Sequence, residues 1–263
     1  MKYLFAALSL AVFLAPSAQA EDIVSLLERK STVERPAPPT LNPYNYTVDV
    51  TMSGREGKDI EEPFMASVLV NPAAAPEARI TILSTSTEEH PDDFKDFLKE
   101  VQDTEKSAED LAEDFWCESN DNDLFESDGL PEDSFTVLSE TDTEAVIKPN
   151  LKLMAEMMMN SEADDDMSKS ERKMMKKMME RLDGEFTLSK PDVRLKRVKI
   201  WLTRPMTMAV VAKIKEMEMT QSCALAPNGF GYTDSMTMRV KAKALGMKME
   251  QNMDIKISDL TLR

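Results

Sequence analysis

Twenty-one methionines are the most unusual chemical resource of this chain. On predicted strands they recur in M-x-M pairs: Met206/Met208, Met217/Met219, Met236/Met238 and Met247/Met249. A thioether is soft, unbranched and polarizable, so this spacing admits three uses. Side chains two apart on a strand share a face, and flexible methionines can simply fill a core. The same face can instead line a cavity for acyl chains, since an adaptable surface suits ligands that vary in length. Thioether sulfur also captures Cu(I), although exported copper sites usually add histidine. This chain has one histidine, His90.

Other reactive groups are few. His90 precedes Pro91 in a polar stretch and has no serine or cysteine partner in sequence, so it reads as a surface residue at a helix start. Cys117 and Cys223 are the two cysteines. Their even number points to a structural disulfide in an oxidising compartment, and the spacing lacks C-x-x-C redox character. Closing so long a loop would restrict the unfolded chain by roughly 4–5 kcal/mol in the chain-entropy argument. Asp121, Asp123, Glu126 and Asp128 crowd one loop, as calcium ligands do, but glutamate stands where an EF-hand needs glycine. Asp164-Asp165-Asp166 favour a helix dipole instead. Serine-hydrolase, P-loop and dinucleotide fingerprints are all missing. No catalytic residue, metal site or cofactor is expected, and the chain does not read as an enzyme.

The elements that would carry the methionines follow from periodicity. Residues 44–52 alternate and end at Ser53-Gly54, and Phe64–Val70 and Arg79–Ser84 read as further strands. Phe94, Phe97, Leu98 and Val101 recur at helical spacing after Pro91, and a second helix is expected to reach Cys117. Phe135–Ser139 and Glu144–Lys148 form a hairpin. Two helices are expected over 150–182. The second is opened by a Ser168/Glu171 capping box, carries Met175, Met178 and Met179 on one side, and is stopped by Asp183-Gly184. From Glu185 onward the chain is nearly all strand. Met208, Val210, Ala212 and Ile214 alternate before the parity slips to Met217 and Met219, the mark of a β-bulge. Leu245-Gly246 turns the chain. The expected class is α+β, a strongly curved antiparallel sheet or half-open β-barrel with covering or plugging helices.

Residues 1–20 have the form of a secretory signal: Lys2, an apolar run from Tyr3 to Ala15, and Ala18-Gln19-Ala20 before the cut. Export to a periplasm, as a soluble chain beginning at Glu21, is the expectation. Residues 21–43 would be a short helix and a Pro-rich linker, and 44–263 a single half-barrel domain with helical insertions at 91–117 and 150–182. The formal charge of −16 repels phosphate backbones and anionic lipid surfaces alike, which argues against nucleic acid. Acids concentrate in 87–144 and cations in 169–204, which suggests either two faces of opposite sign, with a basic protein partner at the acidic loop 118–133, or solvated faces with no partner.

The C-terminal half resembles the outer-membrane lipoprotein carrier and lipoprotein-sorting group, the LolA-, LolB- and LppX-like half-barrels. The residues that carry it are the strand Val193–Thr203 entering Arg204-Pro205, the long strand to Cys223, and Ala226-Pro227-Asn228-Gly229. Met236–Ala244, the turn at Leu245-Gly246 and a closing strand ending Ile257-Ser258-Asp259-Leu260 complete it. The resemblance implies a curved sheet with helical lids around a lipid-shielding cavity, and no site residue is transferred from it. With the residue reading it gives one expectation: a non-enzymatic binder of lipid or lipidated cargo. The lining would be Met208, Val210, Ile214, Met217, Met219, Met236, Met238 and Val240, under a lid bearing Met175, Met178 and Met179. The alternatives are an envelope interaction module with a fully packed core, and a methionine-based copper binder.

Overall fold

The computed structural model describes residues 44–103, 117, 132–153, 176–191, 194–209, 212–227, 229 and 231–262. The expected signal segment, the linker, the second helix of the 91–117 insertion, most of the 150–182 insertion and most of the acidic loop 118–133 therefore lie outside the described residues. Among the described residues, no helix is long and apolar enough to cross a membrane, which says nothing about strands.

Among the described residues, twelve strands make one open antiparallel sheet, and with the helices beside it the fold is α+β. The strands are β1 (Tyr44–Glu56), β2 (Asp59–Ile60), β3 (Phe64–Val70), β4 (Ile80–Thr85), β5 (Phe135–Glu140) and β6 (Glu144–Pro149). They continue with β7 (Leu182–Ser189), β8 (Arg194–Leu202), β9 (Met206–Ala209), β10 (Ala212–Leu225), β11 (Gly231–Ala244) and β12 (Met247–Leu262). The order across the sheet is β4-β3-β1-β12-β11-β10-β8-β7-β6-β5, with β2 paired to β1 and β9 to β10. The first and last long strands are thus neighbours, and Val48 lies opposite Ile257. Register slips curve the sheet by adding local twist. One falls between Ile214 and Glu216, where the parity change of the apolar residues requires it.

Strand alternation buries one face. Tyr44, Tyr46, Val48, Val50 and Met52 all point inward along β1. Two cores form on that face. The first joins β1 and β3 to the helix α1 (Asp92–Val101), whose Phe94 and Val101 are buried while Phe97 and Leu98 pack beside them. The second joins Phe135, Ala145, Ile147, Phe186, Leu188 and Leu195 of β5–β8 with Leu151. Buried Arg79 holds the end of α1, its Nη1 donating to the carbonyls of Val101 (3.4 Å) and Asp103 (3.0 Å). A cation at a helix C-terminus satisfies orphan carbonyls and the dipole together.

Four expectations need correction. β1 passes through Ser53-Gly54 to Glu56, because these residues keep pairing with Asn252 and Gln251 of β12. Met206–Ala209 and Ala212–Leu225 are two antiparallel strands rather than one, with Met206 opposite Ile214. Asp183-Gly184 does not stop a helix. Leu182 already belongs to β7, and the Arg181 carbonyl accepts hydrogen bonds from the Thr203 amide (2.7 Å) and hydroxyl (2.8 Å), which commits this segment to the sheet. Gly184 serves close approach instead: a Cβ there would sit 3.2 Å from the Lys199 carbonyl oxygen. His90, finally, is half-buried and packs its ring against Phe64 (5.9 Å) and Phe94 (5.3 Å).

Among the described residues, several lysines are paired with carboxylates on neighbouring strands, two of them joining the basic run to the acidic one. Lys190 pairs with Glu140, Lys196 with Glu144, Lys148 with Asp183 and Lys199 with Glu218.

Burial raises the phenol pKa of Tyr46 well above its ordinary 10.0. The folded chain keeps that proton while the unfolded chain begins to lose it near pH 10, so stability is full below that pH and declines above it. Tyr46→Phe should remove about 1.4 kcal/mol of the alkaline loss at pH 11, read as the difference between urea unfolding at pH 9 and pH 11. An equal loss in both proteins would assign the alkaline sensitivity elsewhere.

Candidate functional site: a methionine tract across the sheet

The sheet register decides which thioethers meet. Ile200 of β8 lies opposite Met219 of β10, and Met219 lies opposite Met238 of β11. Met238 faces Met253 of β12, Met253 faces Met52 of β1, and Met52 faces Phe64 of β3. Four methionines therefore stand side by side on four adjacent strands. Directly opposed side chains in an antiparallel pair have Cβ atoms about 4.5–5.5 Å apart, so each thioether is in reach of the next.

The neighbouring rows are also largely apolar. One runs Val198–Gln221–Met236–Ile255–Val50, and another sets Met217 opposite Val240. Ile214 opposes Ala242, which opposes Met249. Ile214, Met217, Met219, Met236, Met238 and Val240 thus share the face that carries both cores. All six are half-buried, and none belongs to either core cluster.

The remaining candidates separate. Met208 is on β9, in the strand whose Met206 is 2% exposed and opposes Ile214. Val210 and Met175 lie outside the described residues. Met178 and Met179 are half-buried in a helical turn. Met179 lines a cleft of about 540 Å³ with Leu151, Leu182, Lys148 and Arg204, at the β5–β7 side, and the tract residues do not line that cleft. A further cleft of about 510 Å³ touches the tract, bounded by Met52, Phe64, Pro91, Val240, Met249 and Gln251 among others. Here the start of α1 overhangs β12, and Gln251 Nε2 donates to Asp93 Oδ2 at 2.6 Å.

Met52, Met253 and Ile200 were not singled out by spacing, because none sits in an M-x-M pair. Their alternation was readable; their place beside Met238 and Met219 depends on pairing between residues up to two hundred positions apart.

Beside the tract, further along β10, the chain is stapled. Cys117 is bonded to Cys223, with Cα atoms 6.1 Å apart. The Cys117 amide donates to the Gly231 carbonyl (3.1 Å), which sets the bridge against the start of β11. Gln221 Nε2 donates to Thr233 Oγ1 (2.7 Å), and the Thr233 hydroxyl approaches Cys117 Sγ at 3.6 Å. A disulfide sulfur has no proton, so the hydroxyl is the donor there. Among the described residues, no group of three or more His, Cys, Asp or Glu side chains is placed to hold a metal. The chemistry on offer is a soft, uncharged, deformable surface.

No known family profile matches this chain, and no curated protein matches it. A LolA superfamily protein from Nitrosomonas europaea is similar in structure at 11% sequence identity, over 91% of this chain and 92% of that one, with a TM-score of 0.25.

Proposed function

We propose that this chain is an exported, periplasmic, non-enzymatic binding protein that holds the acyl chains of lipid or lipidated cargo against the methionine tract. One observation carries the reading. Met219, Met238, Met217, Met236 and Val240 lie between two packed cores, on the same face, without belonging to either. Surface of this kind is costly to leave wet: burial of apolar area is worth about 25 cal/mol per Å² before ordering costs. The register aligns thioethers into a strip running across strands, a shape suited to an extended hydrocarbon chain. The disulfide agrees with an oxidising compartment, as does the signal-like start.

Gentle purification followed by mass spectrometry should find lipid travelling with the protein. Met219→Gln with Met238→Gln, near-isosteric and at half-exposed positions, should weaken retention on the order of tenfold while leaving the melting transition nearly in place. Lipid-free protein, or a double variant that retains lipid as the parent does, removes this reading.

A soft-cation role is favoured by the lateral contact of Met219, Met238, Met253 and Met52, since sulfur ligands select Cu(I). The same double substitution separates the two. A copper site would lose Cu(I) binding in a competition titration, whereas a hydrocarbon site would show no tight Cu(I) binding in the parent.

A further inference from the structure

The far end of the sheet carries a second feature that the tract does not use. β11 and β12 are joined by Leu245-Gly246, whose φ values are both positive, 50° and 90°. Ala244 pairs with Met247 across this two-residue turn. A turn of that kind favours Asn-Gly or Asp-Gly, because a bulky side chain is poorly accommodated at positive φ. Leucine occupies the position anyway and is 74% exposed. Met247, Met249 and Ile60 are exposed beside it, Ile60 being paired with Arg55 on the adjoining β1–β2 ribbon.

Immediately behind the tip, three lysines stand abreast. Lys213 opposes Lys243, and Lys243 opposes Lys248. Like charges directly opposite one another destabilise a sheet. Among the described residues none of the three has a carboxylate within ion-pair distance. Lys215 and Lys58 are exposed at the same end and border a cleft with Lys248. Glu216 answers Lys241 at 2.6 Å one row further in, and Glu250 opposes Arg55, while Glu56 and Asp59 flank the ribbon turn. The lysine row is thus left cationic on a chain whose net charge is −16.

Two departures from local preference therefore coincide, a leucine at a left-handed tip and an uncompensated row of like charges. An anionic surface that also accepts a projecting apolar side chain relieves both. We propose that this end of the sheet docks on an anionic lipid bilayer, Leu245 entering the headgroup boundary and the lysine row lying at phosphate level. A protein partner would need about 800 Å² of complementary surface on each side, whereas a narrow hairpin tip presents a projection. The proposal does not rest on cargo in the methionine tract. Changes at Met219 and Met238 should leave docking unaltered, and changes at the tip should leave lipid retention unaltered.

The test is flotation of the purified full chain with vesicles of phosphatidylcholine alone or mixed with phosphatidylglycerol. Every variant carries the same N-terminus, so any contribution from residues 3–15 is common to all. The parent should float with the mixed vesicles and not with the neutral ones, and added salt should release it. Lys213→Gln/Lys243→Gln/Lys248→Gln should weaken binding on the order of 100-fold. Leu245→Asn should weaken it several-fold while melting no lower than the parent, since asparagine suits the turn better. Absence of binding, equal binding to neutral vesicles, or variants that bind as the parent does would each overturn the proposal. So would concentration-dependent self-association that the lysine variant abolishes in the absence of vesicle binding, because a second copy would then be the occupant.

Discussion

Replacement of Phe94 by alanine is expected to destabilise the fold by about 3–5 kcal/mol, measured by urea unfolding. Phe94 is 0% exposed, its ring 5.0 Å from Phe64, 5.3 Å from His90 and 6.1 Å from Phe97. Helix α1 has ten residues, too few to persist alone in water. Asp92 and Asp93 in its first turn and Lys99 in its last suit the dipole, but such terms are each worth only about 0.3–1 kcal/mol. Docking of Phe94 on β1 and β3 therefore holds the helix in place. Amide exchange over residues 92–101 should accelerate in the variant, together with loss of the Gln251–Asp93 contact that closes the cleft beside Met249. Phe94→Leu should restore most of the stability by keeping the volume. A cost under about 1 kcal/mol for the alanine variant would mean that α1 is not anchored through this side chain.

Removal of the disulfide should have a comparable effect through a different mechanism. Cys117 and Cys223 are separated by 106 positions, so their bond removes much of the freedom of the unfolded chain. Loss of a native bridge typically costs about 2–5 kcal/mol. Cys117→Ser with Cys223→Ser should accordingly lower the melting temperature on the order of 10 °C. Reducing agent should lower that of the parent alike and leave the double variant unchanged. The loss should be felt at the β10–β11 end, where the Cys117 amide and the Thr233 hydroxyl both depend on the seat of the bridge. A double variant that melts with the parent would show that residue 117 stays docked without the covalent bond.

Much of the architecture was legible in the residues because its signals are local. Period-two alternation located most of the strands, the parity slip between Ile214 and Met217 located a bulge, and the i, i+3, i+4, i+7 set located α1. The errors occurred where a distant partner overrode a local signal. Gly54 resembles a strand end until β12 continues the ladder past it. Asp183-Gly184 resembles a helix stop until β8 pairs with it and the Arg181 carbonyl is taken by Thr203. His90 resembles a solvated residue because the rings that cover it lie on β3 and α1.

The same division governs the methionine tract. That Met217, Met219, Met236 and Met238 share faces within their strands was determined by the sequence, because a strand reverses its side chains at every residue. Which thioethers touch was not. Met52 and Met253 are two hundred residues apart, and their meeting next to Met238 required the first and last long strands to pair in one register. A residue's own neighbours settle the direction of its side chain. The lateral neighbour is settled by non-local hydrogen bonding across the whole sheet, which only the assembled fold decides.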